Sequence, residues 1–453
     1  MEKKDIFRHP GLYKSLYNWS SYFHRLYYRK FTVVGKENIP DNVPILFSCN
    51  HQNALLDALA VLFASKNPVA FLARADIFRK KFIASLLDFI KMTPVYRLRD
   101  GYENMAMNQE VFKKTVRILK SGTPICIFSE GNHLGQKRLR PLKKGVCRIA
   151  FQAEESTSFK LNLHIVPVGL DYSNYFNAGS DLLVVFGKPI KVSDYSGQYI
   201  ENPQKAINSL RDAIAEGMRN LIIHIPEENY HLIADIAAMY EPNVWETRNV
   251  KRHPYNKLVI RQYIVQKTVE AFQANPDAAV QIESKLTSFQ EKLKIFGLKD
   301  CLLQEKSPGT GKLMIEALLT ILLSPIHLLG MILNYLPYKI PVWISAKVKD
   351  PHFRSSYHFG ISLFLFQLYY LIIIASFCLI TQDLLLTLLF ICTLPVTGLF
   401  AFYNYKHSKK LTGKLRLAWL KCYRKQEYEM LAGERVSIID SIKSIVSVQA
   451  EKP

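Results

Sequence analysis

The stretch Phe47-Ser48-Cys49-Asn50-His51-Gln52-Asn53-Ala54-Leu55-Leu56-Asp57 sets an imidazole and a carboxylate in one short junction. A histidine held there can take a proton from a hydroxyl. A carboxylate close by fixes its tautomer and stabilises the imidazolium that forms. Taken alone, the pair more readily fits a structural hydrogen bond. Three more patterns follow in order: Pro94-Val95-Tyr96-Arg97, then Phe128-Ser129-Glu130-Gly131-Asn132-His133, then Val166-Pro167-Val168-Gly169. Each stands at the end of an apolar run. Arg97, Lys143 and the bare backbone at Gly131 are of the type that a phosphate-bearing substrate needs. Residues 165–170 can line an apolar slot for an acyl chain. Attack by a hydroxyl on an acyl group is chemistry that this set supports.

These residues need elements to bring them together. Five residues separate His51 from Asp57. A helix turns about 100° per residue, so a continuous helix would not put both side chains on one face. The two must meet across a non-helical junction. No other acidic residue lies between Asp41 and Asp76, so Asp57 is the candidate partner. Apolar runs at 31–34, 43–47, 69–73, 93–97, 124–128, 164–170 and 182–186 read as strands. Helical patterns at 54–64, 74–90, 104–120, 145–153 and 204–222 lie between or after them. That alternation predicts a layered α/β domain over residues 31–222.

The remainder divides by composition. Residues 1–30 form a basic aromatic amphipathic helix, with Tyr13, Tyr17, Trp19, Tyr22, Phe23, Tyr27 and Tyr28 among lysines and arginines. It fits a membrane interface or a face of the domain. Residues 223–312 read as a polar helical region without evident chemistry. Residues 313–336 are apolar but are broken by Ser324-Pro325, which favours an interfacial or re-entrant segment over a span. Residues 357–404 hold two apolar runs of the length a bilayer needs, about 20 residues each. They flank Thr381-Gln382-Asp383 and predict a transmembrane hairpin. Residues 405–453 read as a basic cytosolic tail. Lysines and arginines on both sides of the hairpin place both flanks in the cytosol.

The chain has 453 residues and a formal net charge of +21. The charge implies an anionic partner, either nucleic acid or anionic lipid. The hairpin and the interleaved aromatics favour anionic membrane lipid, and no nucleic-acid partner is expected. Seven scattered cysteines form no CxxC pair, so neither a zinc site nor a disulfide framework is suggested. Residues 1–5 lack the apolar core of a signal peptide. The α/β domain is therefore expected on the cytosolic face of a membrane.

The four ordered patterns resemble those of the glycerolipid acyltransferases of the phosphatidate pathway. That family carries NHxxxxD, a second motif ending in Arg, a third like F-P-E-G and a fourth like V-P-V. Here they are matched by Asn50-His51 with Asp57, by Val95-Tyr96-Arg97, by Phe128-Ser129-Glu130-Gly131 and by Ile165-Val166-Pro167-Val168. The resemblance implies a layered α/β domain with a mixed sheet. It makes His51 the general base and Asp57 its partner. It assigns Arg97, Glu130, Gly131 and Lys143 to the glycerol-phosphate site, and Pro167 to the acyl-binding side. The donor is then acyl-CoA or acyl carrier protein, the acceptor a glycerol phosphate or lysophospholipid, and no metal or other cofactor is called for.

Two departures stand out. The His-to-Asp gap holds one residue more than is usual in the family, and the third motif has Ser129, Asn132 and His133 in place of its usual Pro, Thr and Arg. His133 reads as a solvated loop histidine, with a second base as the alternative. Residues 168–176 and 275–300 further resemble the fungal-type glycerol-3-phosphate/dihydroxyacetone-phosphate acyltransferases. This favours glycerol 3-phosphate over lysophosphatidate or another lysolipid as acceptor. The reading from a different class is a lipid-binding membrane scaffold without catalysis.

Overall fold

The computed structural model describes residues 10–78, 81–95, 105–248, 251–304 and 309–446. It divides into two compact units. One is Met1–His224 together with Ser345–Phe359; the other is Ile225–Ile344 together with Gly360–Pro453.

The first unit is built on one sheet. Among the described residues its strands are β1 (Lys30–Val34), β2 (Ile45–Cys49), β3 (Ala70–Arg74), β4 (Met92–Val95), β5 (Ile125–Phe128), β6 (His164–Tyr172), β7 (Asp181–Phe186) and β8 (Ile190–Lys191). Their order is β1-β7-β6-β2-β5-β3-β4, with β8 beside β6. Every pairing is parallel except β6 with β7 and β6 with β8. The sheet is therefore mixed, as expected. β2 lies between β5 and β6 and is buried at every position, as a strand covered on both faces should be. Successive side chains point to opposite faces. Leu46 joins one core with Val146, Ala150, Leu210 and Ile214. Phe47 joins the other with Ala60, Val61 and Val166.

Two elements differ from the sequence expectation. β2 runs to Cys49 rather than ending at Phe47. Ser48 and Cys49 still occupy rungs opposite Pro167 and Val168, and Ser48 is sealed by a hydrogen bond to Ser129. A small polar residue can thus complete a buried strand when its hydroxyl is satisfied. The helix expected from residue 74 begins instead at Lys81, after a short 3-10 turn at Ala75–Phe78.

The helix Pro203–Arg219 lies close upon β6. A Cβ at Gly217 would approach the Pro167 ring to 2.9 Å, and one at Gly169 would sit 2.4 Å from the Leu221 carbonyl oxygen. The N-terminal helix Pro10–Tyr27 packs through Tyr17 and His24 on Phe63 and through Tyr13 on Phe89. It leaves Leu12, Tyr22 and Leu26 exposed. His24 has no exposed surface, and neither ring nitrogen has a hydrogen-bond partner. Burial, with Arg25 nearby, pushes its pKa down to about 3.

The second unit is helical. Tyr230–Arg248, Pro254–Ala274 and Pro276–Ile295 come first. The apolar helices Thr310–Leu322 and Ser324–Ala346 meet at a 49° bend, where the sequence has Ser324-Pro325. Pro351–Thr381 and Leu384–Tyr423 are each long and apolar enough to cross a membrane, and the bent pair adds a third such segment if it counts as one span. These helices point to membrane association. The second long helix runs past the apolar stretch into the basic tail, which stays helical through Lys425–Ile445. Small residues let the apolar helices touch: a Cβ at Gly330 would lie 2.1 Å from the Thr397 carbonyl oxygen. Asn334 is satisfied in that contact, donating to Gly330 and Leu394 carbonyls and accepting from Tyr370.

Gly169→Val is expected to destabilise the protein by about 1–3 kcal/mol through overpacking. Gly197→Ala meets nothing within 4 Å and should be silent; thermal midpoints of the two compare them. His24 predicts an acid limb. Its folded pKa lies below the ordinary 6.5, so its contribution is intact above about pH 6.5 and is lost as pH falls toward 3. His24→Phe should remove about 1.4 kcal/mol of pH dependence per unit in that window, read from denaturant midpoints at pH 7, 6 and 5.

Candidate active site

The loops that follow β2, β5 and β6 meet at one edge of the sheet. In α/β sheets this carboxyl-terminal edge is where sites form. Asn50 ties the first loop to β6. Its side-chain amide donates to the Leu170 carbonyl at 3.0 Å and accepts from the Leu170 N–H at 2.8 Å. Ser48 and Ser129 hydroxyls, 2.7 Å apart, tie the end of β2 to the second loop. The His51 backbone is held on both sides: its N–H donates to Glu130 at 2.9 Å, and its carbonyl accepts from Leu134 N–H at 3.1 Å.

His51 and Asp57 do meet. Nδ1 lies 2.8 Å from Asp57 Oδ2. The extra residue in the gap is absorbed at Ala54, whose φ of 44° turns the chain left-handed just where the helix Ala54–Ala64 begins. That turn lets Asp57 reach back to the N–H groups of Gln52 and Asn53, both at 2.7 Å. Tyr172 donates its hydroxyl to Oδ1, also at 2.7 Å. Burial, and then the Asp57 charge, hold the Tyr172 pKa well above its ordinary value, so it stays a donor. A carboxylate surrounded by donors is an acceptor, so Nδ1 of His51 carries the proton. In the neutral ring, Nε2 is then the nitrogen that bears the lone pair. The ring stacks on Phe128 with centroids 4.1 Å apart and keeps 17% of its side chain exposed.

Glu130 is buried and faces inward. Its Oε2 accepts from Arg140 Nε at 3.0 Å and from Arg140 N–H at 3.3 Å. Burial raises its pKa, against the pull of the His51 N–H and Arg140. It acts here as a brace between the loops. Gly131 has φ of 73°, and the Lys143 stem passes so close that a Cβ on Gly131 would sit 3.3 Å from Lys143 Cγ. Lys143 also donates its N–H to the Ser129 carbonyl, and its side chain is exposed. Glu130 thus braces the His51 backbone, and Lys143 lies against Gly131 in the next loop. Arg97 lies outside the described residues. Pro167 is buried on β6 under Gly217, a strand–helix contact.

His133 corrects the sequence reading. It is 8% exposed, not solvated. Its Nε2 lies 2.9 Å from Asp350 Oδ2, and its ring meets His51 edge-on at 5.5 Å. Burial lowers its pKa, opposed by Asp350. Sequence reasoning also missed Arg140 and Tyr172. Arg140 stands in an arginine- and lysine-rich loop where nothing marks one cation above another. Tyr172 had a signal: it follows the fourth motif in the same strand, at even spacing from Leu170.

An acyltransferase family model matches residues 30–171. Glycerol-3-phosphate O-acyltransferase 1 of Saccharomyces cerevisiae is 24% identical over 206 residues, 45% of this chain and 26% of that protein. The 1-acyl-sn-glycerol-3-phosphate acyltransferase of Borreliella burgdorferi is 28% identical over 147 residues, 32% of this chain and 53% of that protein. The chain thus spans only part of the length of these relatives. The crystal structure of the 1-acyl-sn-glycerophosphate acyltransferase of Thermotoga maritima aligns with a TM-score of 0.34 and 16% identity, over 46% of this chain and 79% of that one.

Within the first unit, Tyr172→Phe removes one donor from a buried carboxylate. The expected loss is about 1.5–3 kcal/mol. Asp57→Ala should destabilise more, because it leaves the Gln52 and Asn53 N–H groups buried without an acceptor. Denaturant unfolding of both variants checks the order; equal stabilities would mean that Asp57 does not organise the loop.

Proposed function

We propose that the protein is a membrane-bound O-acyltransferase that acylates glycerol 3-phosphate, and dihydroxyacetone phosphate as a related acceptor. The reading is carried by the His51–Asp57 pair at the sheet edge, where Nε2 has no hydrogen bond among the described residues. A hydroxyl of the acceptor attacks the carbonyl carbon of an acyl thioester. His51 Nε2 takes the hydroxyl proton, Asp57 stabilises the imidazolium, the C–S bond breaks, and the proton passes to the departing thiolate. Lys143, the Gly131 backbone and Arg97 are the groups proposed for the acceptor phosphate. The donor is acyl-CoA or acyl carrier protein. The Saccharomyces relative, named for glycerol 3-phosphate, supports this acceptor, as does the resemblance of residues 168–176. The apolar helices would anchor the enzyme with its acyltransferase domain on the cytosolic face, close to anionic lipid.

The second reading is acylation of lysophosphatidate, the lysophospholipid named by the Borreliella relative. The test offers labelled palmitoyl-CoA with glycerol 3-phosphate, dihydroxyacetone phosphate and lysophosphatidate side by side, using full-length protein in detergent. Lysophosphatidate formed from glycerol 3-phosphate is the expected product. Phosphatidate formed only from lysophosphatidate would move the enzyme to the second reading. His51→Ala should lower turnover by roughly 10²–10⁴-fold while leaving membrane association intact; unchanged turnover would remove His51 as the base.

A further inference from the structure

Residues Ser345–Phe359 belong to the same compact unit as Met1–His224, although about 120 residues of chain separate the two pieces. This strap touches both loops that hold the base. Ser355 donates its hydroxyl to the Asn53 side chain. Ser356 accepts the Leu55 N–H at 3.2 Å, one of the first-turn donors that a helix leaves open. Ser355 and Ser356 are 1% and 6% exposed, so these are built contacts. Farther along, His352 Nδ1 accepts the Gly135 N–H at 3.2 Å. A Cβ at Gly135 would come within 2.9 Å of that nitrogen, so a larger residue there would make His352 shift. Asp350 is fixed by its own turn, its Oδ1 accepting the His352 N–H at 3.0 Å. Its Oδ2 then takes His133 Nε2, while Phe353 meets the His133 ring edge-on at 4.7 Å.

We propose that this strap is a working wall of the active site, with Asp350 the positioning residue that sets His133 against His51. The proposal rests on the acyltransferase reading above. Asp57 fixes one point of the His51 ring, Phe128 one face, and His133 one edge. The first two leave the ring free to slide along Phe128; the third closes that freedom. His133 can serve only if it is itself held, and Asp350 and Phe353 hold it. In place of the arginine usual at this position in the resembled family, the chain has a neutral imidazole tethered by the strap. Asp350 thus acts on turnover through geometry and touches neither substrate.

The test uses full-length protein in detergent, with Asp350→Ala, Asp350→Asn and a surface control, Lys425→Ala. A misplacement of about 1 Å can lower turnover about 100-fold. Asp350→Ala should therefore lose kcat by about 10- to 100-fold, with donor and acceptor KM values near those of the parent. Asp350→Asn keeps an oxygen acceptor and should recover most of kcat. Turnover of Asp350→Ala equal to the parent, a loss confined to KM, or no recovery by Asp350→Asn would each overturn the proposal. A second readout needs no turnover: carbethoxylation of His133, followed by mass spectrometry. Asp350→Ala should label His133 several-fold faster, and an unchanged rate would overturn the tether. Parent protein silent with all three acceptors would defeat the acyltransfer reading, and the labelling would still decide the strap.

Discussion

A carboxylate with no exposed surface must have donors on its oxygens, or it loses the charge that makes it useful. Asp57 meets that requirement with the His51 ring, two backbone N–H groups and the Tyr172 hydroxyl. Much of the first unit follows from it. The two N–H groups converge only because the backbone turns left-handed at Ala54. Tyr172 arrives only because β6 runs parallel to β2 in a register that sets Cys49 opposite Val168. A slip of one residue would carry Tyr172 to the other face of the sheet. His51, Asp57 and the sheet register are therefore one construction.

The strand ends do the remaining work. Asn50 continues the β2–β6 ladder with its side chain after the backbone has turned away. Its amide offers the same donor and acceptor as a peptide group, so the loop leaves the sheet without exposing Leu170. Glu130 performs the matching task toward β5. Read as a letter in the third motif, this carboxylate is assigned to the glycerol-phosphate site. Its lone pairs are taken by the His51 N–H and Arg140, so its contribution lies in shaping the loop that surrounds Nε2.

Much of this was legible in the residues. Alternating apolar runs and helical patterns gave the layered α/β domain, because β2, β5 and β6 are short, apolar and flanked by polar breaks. The spacing of His51 and Asp57 predicted a non-helical junction, and the turn at Ala54 is that junction. What stayed hidden depends on partners far along the chain. His133 looked solvated because its neighbours in sequence are polar. Its burial comes from Asp350 and Phe353, and no local pattern announces a contact across 217 residues. The extension of β2 through Ser48 was hidden for the same reason, since the hydroxyl that satisfies it is on Ser129.

The split between His224 and Ser345 also has a meaning in time. A ribosome adds about 5–20 residues per second. Every strand of the sheet, with both loops around His51, is made before the second unit begins. The strap follows about 120 residues later, a delay of about 6–24 s at that rate. During this interval the sheet can close, but His133 has no Asp350 and the Leu55 N–H has no Ser356. The finishing contacts come only when the apolar helices are themselves being made. Completion of the contacts around His133 is thereby tied to the arrival of the apolar helices, and a chain that stops early carries His51 and Asp57 without the strap.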